Sequence, residues 1–246
     1  MQKLMIAKTG DTKAEIKQEF GDFEEMFIDK IEFPRHRFMV IKPYGGEDLP
    51  DVKKIAEAEI AGLIITGSHA MVTDEKKWIN RLISWTEDLL ENTAIPVLGV
   101  CFGHQLLAAA AGGNVDYHSQ GREIGTVPIR LTETAGDDPL LADLPAEFKS
   151  QAIHAQTVTG LPPEAVVLAE NEYENCHAFR LNDRRIWGVQ FHPEFTAGIM
   201  KKYIELIKDE IRQNGRNPEK IMEGIRKNPH GAELLNRFAR IAFNQD

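Results

Sequence analysis

The stretch from Ile95 to Gly113 constrains this chain more than any other. It opens as an apolar run of strand type, Ile95 to Val100. Good helix formers follow from Phe102 to Ala111, and Gly112-Gly113 stop them. Cys101 stands at the joint, between Gly99 and Gly103. A strand that turns directly into a helix needs close backbone approach at its corner, which glycine permits. Gly-x-Cys-x-Gly is the thiol counterpart of the Gly-x-Ser-x-Gly nucleophile elbow. Such a corner sets the sulfur at the carboxyl end of a strand and over a helix N-terminus, which favours thiolate, the nucleophilic form. The next backbone N–H, that of Phe102, then points where a carbonyl oxygen becomes an oxyanion. Stripped of this context, Cys101 reads as a small buried core residue.

The rest of the first half repeats the strand-then-helix alternation. Leu4 to Ala7 predicts a strand, and Ala14 to Phe27 a single amphipathic helix with Ile16, Phe20, Phe23 and Phe27 on one face. Strands are predicted at Phe38–Ile41 and Ala61–Thr66, the second apolar without alternation and ending in Gly67-Ser68. A helix follows over Glu75–Glu91. This order predicts an α/β fold with a mostly parallel central sheet and helices on both faces. Ligands bind such sheets at the carboxyl ends of strands, where Gly67 and Cys101 both fall.

After Gly113 short strand candidates dominate: Val115–His118, Ile124–Leu131, Phe148–His154, Val166–Ala169 and His177–Leu181, with Asn182-Asp183 as a hairpin tip. Ile186–Phe191 is a buried strand leading into His192-Pro-Glu194, and Ala197–Arg212 a helix. Asn214-Gly-Arg-Asn-Pro218 is the clearest linker, so the chain divides into a main domain, 1–213, and a C-terminal helical extension, 214–246.

Composition narrows the function classes. A formal net charge of −9 over 246 residues argues against nucleic acid or an anionic membrane surface as the main partner. Cys101 and Cys176 are the two cysteines, too few for a disulfide framework. The first residues are too interrupted for a signal peptide, and no apolar run approaches bilayer length, so a cytoplasmic setting is expected. Neither His-Glu-x-x-His nor paired Cys-x-x-Cys is present, so no metal and no cofactor are expected.

A cysteine nucleophile needs a general base and a group that fixes the base's tautomer. Of the eight histidines, His36, His69, His118 and His230 fall in loops or at edges. His104 shares the cysteine's own helix, and His154 and His177 lie within strands. His192 alone ends a buried strand, with Glu194 two residues on. In extended chain, residues i and i+2 point to the same side, so Glu194 can accept from the far imidazole nitrogen. Cys101, His192 and Glu194 are therefore the candidate nucleophile, base and orienter.

Gly-Val-Cys-Phe-Gly-His-Gln at 99–105, together with Gly-Val-Gln-Phe-His-Pro-Glu at 188–194, resembles the class I, triad-type glutamine amidotransferases. The resemblance covers roughly residues 40–212. It is strongest to glutaminase domains of GMP-synthase type and to stand-alone γ-glutamyl peptidases. It implies a flavodoxin-like amidotransferase fold and an oxyanion hole at the N–H groups of Gly67 and Phe102. It also implies substrate contacts from Gln105 and from the loop holding Arg122 and Glu123. Ile153-His-Ala-Gln156 departs from the Ser-His-x-Asp-like stretch of GMP-synthase relatives, and no phosphate-binding loop is found.

The implied substrate is glutamine or a γ-glutamyl compound, cleaved through a cysteinyl thioester. Three readings stand side by side. The chain is an amidotransferase subunit passing ammonia to a separate acceptor enzyme, a self-contained γ-glutamyl hydrolase, or a binding module on the same fold. Sequence does not fix the oligomeric state.

Overall fold

The structure is a computed structural model that describes residues 1–57, 59–182 and 184–244. Its strands and helices run in the order β1 (Lys3–Ala7), α1 (Ala14–Phe20), α2 (Phe23–Lys30), β2 (Phe38–Ile41), α3 (Val52–Glu57), β3 (Ile60–Ile65), α4 (Lys77–Asn92), β4 (Val97–Val100) and α5 (Phe102–Ala110). The second half adds β5 (Asn114–Tyr117), β6 (Glu123–Leu131), β7 (Glu147–His154), β8 (Gln156–Gly160), β9 (Ala165–Glu170), β10 (Ala178–Leu181) and β11 (Ile186–Val189). It ends with α6 (Ala197–Leu206), α7 (Lys208–Gln213), α8 (Pro218–Glu223) and α9 (Pro229–Ala242).

Among the described residues one nine-stranded sheet carries the order β2-β1-β3-β4-β11-β10-β9-β6-β7. Its first five strands are parallel, as their continuous apolar runs predict, and the other four join antiparallel. β5 and β8 form a separate antiparallel ribbon. The fold is therefore an α/β sandwich about a mostly parallel central sheet.

Three elements differ from expectation. The predicted helix over 14–27 is two helices, because Gly21 takes φ 82 and Asp22 then caps α2 in a reciprocal capping box with Glu25. The predicted helix over 197–212 is interrupted at Ile207. β8 carries no alternation strong enough to mark it, and it gains its partner only when β5 folds over it. Of the expected hairpin tip, Asn182 has φ 47 and Asp183 lies outside the described residues.

The C-terminal segment is helical, and α9 belongs to the main core. Leu234, Leu235, Phe238 and Ile241 pack in one cluster with Leu4, Ile6, Ile64, Val100 and Trp187, closing one face of the sheet. The opposite face buries Leu82, Trp85 and Leu89 of α4 with Leu63, Ile65 and Leu106. No helix among the described residues is long and apolar enough to cross a membrane.

Candidate active site

β4 ends at Val100 and α5 begins at Phe102, so Cys101 makes the whole turn itself, with φ 53 and ψ −102. A side chain at positive φ costs about 1–3 kcal/mol and persists only where its surroundings enforce it. Here the Cys101 N–H donates to the Val189 carbonyl at 2.8 Å, and the flanking glycines let the strand and helix meet. A methyl on Gly99 would run into the Gly103 carbonyl, and one on Gly103 into the Ile65 carbonyl. Both glycines of the motif are therefore required by packing. The thiol is 7% exposed and lies 3.8 Å from the Ile153 carbonyl.

Register explains why a residue so distant in sequence arrives beside it. β11 pairs parallel with β4, matching Gly188 with Gly99 and Val189 with Val100. The chain leaving β11 thus emerges next to Cys101 and delivers His192 and Glu194. His192 Nδ1 sits 2.7 Å from Glu194 Oε1, and both residues are buried. The ring stacks on Phe195, centroids 4.1 Å apart, and the His192 N–H donates to the Gln151 carbonyl. Its Nε2 is buried with no hydrogen-bond partner among the described residues.

Gly67 shows how closely the parts converge. A Cβ placed on it would lie 3.0 Å from His192 Cε1 and 3.7 Å from Cys101 Cβ. Cys101 and His192 also line one cavity of about 130 Å³, together with Phe102, Gln105 and Arg122. Burial works against an imidazolium at His192, but the Glu194 carboxylate and the Cys101 sulfur outweigh it and push the group up to about 10. The cavity thus brings a thiol and a buried imidazole together on one wall.

The family model for glutamine amidotransferase class-I matches residues 20–212. The chain belongs to that family. It is similar to a glutamine-hydrolyzing GMP synthase subunit of Methanococcus maripaludis, 34% identical over 142 residues, 58% of this chain and 68% of that one. It is also similar to gamma-glutamyl peptidase 4 of Arabidopsis thaliana, 27% identical over 215 residues, 86% of this chain and 83% of that one. The crystal structure of a glutamine amidotransferase from Thermotoga maritima superposes with a TM-score of 0.75 at 23% identity, covering 98% of both chains. That coverage takes in the C-terminal helices, which lie beyond the family model.

Within this amidotransferase fold the expected substrate residues divide. Arg122 lines the cavity, its Nη1 2.7 Å from Glu210 Oε1 at the rim. Gln105 also lines it, but its amide nitrogen is committed to the Gln156 carbonyl at 2.7 Å and to Gln190 Oε1 at 2.9 Å. Glu123, expected beside Arg122, does not line the cavity. As the first residue of β6 its side chain turns inward, where the carboxylate meets His154 at 3.0 Å, His177 at 3.2 Å and Asn171 at 2.9 Å. Burial opposes its charge, and the two imidazoles outweigh burial and hold the carboxyl well below the usual carboxylate range.

Some cavity and supporting residues carry no local sequence signal. Phe23, Tyr203 and Ile207 line the cavity from α2 and from the end of α6, where they read as helix-face core positions. Lys30 donates to the carbonyls of Pro193 at 3.1 Å and Phe195 at 3.4 Å, and Asn236 of α9 donates to the Lys30 carbonyl at 2.9 Å. The turn holding Glu194 is thus tied to the C-terminal helix.

Proposed function

We propose that this chain cleaves the side-chain amide of glutamine through Cys101 and passes the ammonia to a separate acceptor enzyme. The observation that carries the reading is the 2.7 Å pairing of His192 with Glu194 beside a cysteine held at positive φ. The thiolate attacks the amide carbonyl carbon, forming a C–S bond, and the oxygen takes the negative charge facing the N–H groups of Gly67 and Phe102. Collapse breaks the C–N bond as His192 Nε2 gives its proton to the leaving ammonia. Water then loses a proton to His192 and attacks the thioester. The C–S bond breaks, leaving glutamate and the thiolate.

Transfer to a partner is supported by the likeness to a protein named as one subunit of GMP synthase, a name that implies a further subunit. A second reading, cleavage of a larger γ-glutamyl amide without a partner, draws on the longer match. The Arabidopsis peptidase aligns over 86% of the chain, against 58% for the Methanococcus protein. Both readings use the same thioester chemistry.

The test is ammonia release from glutamine by the purified chain, beside a Cys101→Ala control and a panel of γ-glutamyl peptides. Release that the control abolishes supports the thiol route. Faster turnover of peptides than of glutamine favours the second reading. Neither activity, with no gain on adding a synthetase subunit, would leave a binding module.

A further inference from the structure

The oxyanion role given to Gly67 depends on the orientation of two peptide planes, and those planes are held by Thr66 and by Thr9, just past the end of the neighbouring strand β1. β3 keeps its ladder as far as Thr66, whose N–H donates to the Ala7 carbonyl at 3.1 Å. Beyond that point Thr9, in the loop after β1, takes over. Its Oγ1 lies 3.0 Å from the Thr66 carbonyl and 2.8 Å from the Gly67 carbonyl. Its N–H donates to Thr66 Oγ1 at 3.1 Å, and that hydroxyl lies 3.0 Å from the Gly67 carbonyl. Ser68 Oγ in turn donates to the Thr9 carbonyl at 2.7 Å. A hydroxyl has one proton, so Thr9 alone cannot serve both carbonyls at once, whereas Thr9 and Thr66 together can.

The two carbonyl groups of a short loop are therefore both drawn toward Thr9, which is 1% exposed. In a planar trans peptide the C=O and the following N–H point in opposite directions. Holding the Thr66 carbonyl toward Thr9 turns the Gly67 N–H away from it, and holding the Gly67 carbonyl does the same to the Ser68 N–H. Neither N–H has a protein acceptor among the described residues. Gly67 meanwhile borders His192 and Cys101.

Thr9 is itself immobilised. Its neighbour Lys8 is buried, with Nζ 2.6 Å from Asp22, 2.7 Å from Asp11 and 2.8 Å from Glu24. The Lys8 N–H continues the sheet by donating to the Ile41 carbonyl at 2.9 Å.

We infer that Thr9 is a positioning residue for the oxyanion hole: its hydroxyl orients the Thr66–Gly67–Ser68 peptides so that backbone N–H faces the substrate oxygen. The assignment rests on the amidase chemistry proposed above. It gives a buried hydroxyl far from Cys101 in sequence a role in the transition state without any contact to substrate.

The experiment compares the full chain with Thr9→Val, which keeps the shape and loses the hydroxyl, and with Thr9→Ser, which keeps the hydroxyl. Turnover of glutamine or a chromogenic γ-glutamyl anilide is measured beside the rate of Cys101 alkylation by iodoacetamide, a reaction with no oxyanion. Expected for Thr9→Val is a fall in kcat of about tenfold to a hundredfold, below the loss of a whole oxyanion donor. KM and the alkylation rate stay at the parent values, and Thr9→Ser recovers most of the turnover. A Thr9→Val chain as active as the parent overturns the assignment. So does one whose alkylation falls in step with turnover, since the hydroxyl would then support the fold at large. A parent chain inert toward every substrate, alone and with an added synthetase subunit, overturns the amidase chemistry and this assignment with it, a result distinct from an active parent matched by its Thr9→Val variant.

Discussion

Glu194 holds its carboxylate 2.7 Å from Nδ1 of His192 in a turn closed to solvent, and Nε2 is left without a hydrogen-bond partner among the described residues. This pair sets the pH behaviour of the site. Burial disfavours the imidazolium, but the carboxylate and the sulfur outweigh it, so His192 keeps its proton up to about pH 10. Amide cleavage, which needs that proton for the leaving ammonia, should hold to high pH and fall as His192 titrates near 10. Alkylation of Cys101 needs only the thiolate and should persist there. The linkage to stability has the matching sign. A raised histidine pKa stabilises the fold fully below the unfolded value of about 6.5, and that contribution is lost as pH rises through the folded value. Parallel pH profiles of turnover and alkylation decide the point; an alkaline fall shared by both would remove His192 as the acid.

Glu194→Gln keeps the shape of the turn and removes the charge. The imidazolium then loses its main support, so the alkaline limb of turnover should move below about pH 10. With the base also free to adopt the wrong tautomer, kcat/KM should fall by about a hundredfold or more. Steady-state kinetics across pH read both effects. An unmoved alkaline limb would show that the carboxylate does not govern His192.

The elbow makes a packing prediction. Gly103→Ala places a methyl against the Ile65 carbonyl, a backbone atom that cannot swing aside. Overpacking of this kind costs about 1–3 kcal/mol, and more where backbone must move. Urea unfolding should show a lowered midpoint, and turnover should fall further than stability because the Cys101 corner shifts. Unchanged stability would mean the strand and helix are not pressed together as described.

The elbow and the His-Pro-Glu turn were legible because each is local: glycines around a cysteine, and a carboxylate two residues past a histidine. The parallel half of the sheet was legible for the same reason, since strands such as β3 and β4 are short apolar runs closed by turn residues. What sequence hid is non-local. Glu123 sits beside Arg122 in the chain, yet Glu123 opens β6 with its carboxylate on two buried histidines, while Arg122, just before the strand, stays at the cavity. β8 acquires its state from pairing with β5, and α9 shows its role only once its apolar face is seen against the sheet.

That last packing is testable. Phe238 of α9 is fully buried, edge-on to Trp187 with centroids 6.3 Å apart. Phe238→Ala should cost about 3–5 kcal/mol in a single cooperative unfolding transition, as for other large buried aromatics. Residues 214–246 would instead behave as a detachable cap if the change left the main transition untouched. Calorimetry distinguishes the two.

Arg122 and Glu210 offer a prediction in which two substitutions act in opposite directions. Their pair at the cavity rim spans 2.7 Å and is partly open to solvent, with Arg122 27% and Glu210 48% exposed. Pairs this exposed contribute only about 0–1 kcal/mol, so a substrate carboxylate can compete for the guanidinium. If Arg122 receives the α-carboxylate of the glutamyl group, Arg122→Ala removes the cation and leaves Glu210 to repel the substrate. KM should then rise by about tenfold or more with kcat little changed, the signature of lost ground-state binding. Glu210→Ala frees Arg122 and should lower KM. Both effects should weaken as salt is added, because the groups are exposed. A KM that moves the same way in both variants, or in neither, would place the carboxylate site elsewhere in the cavity, with Lys13 the next cation on its wall.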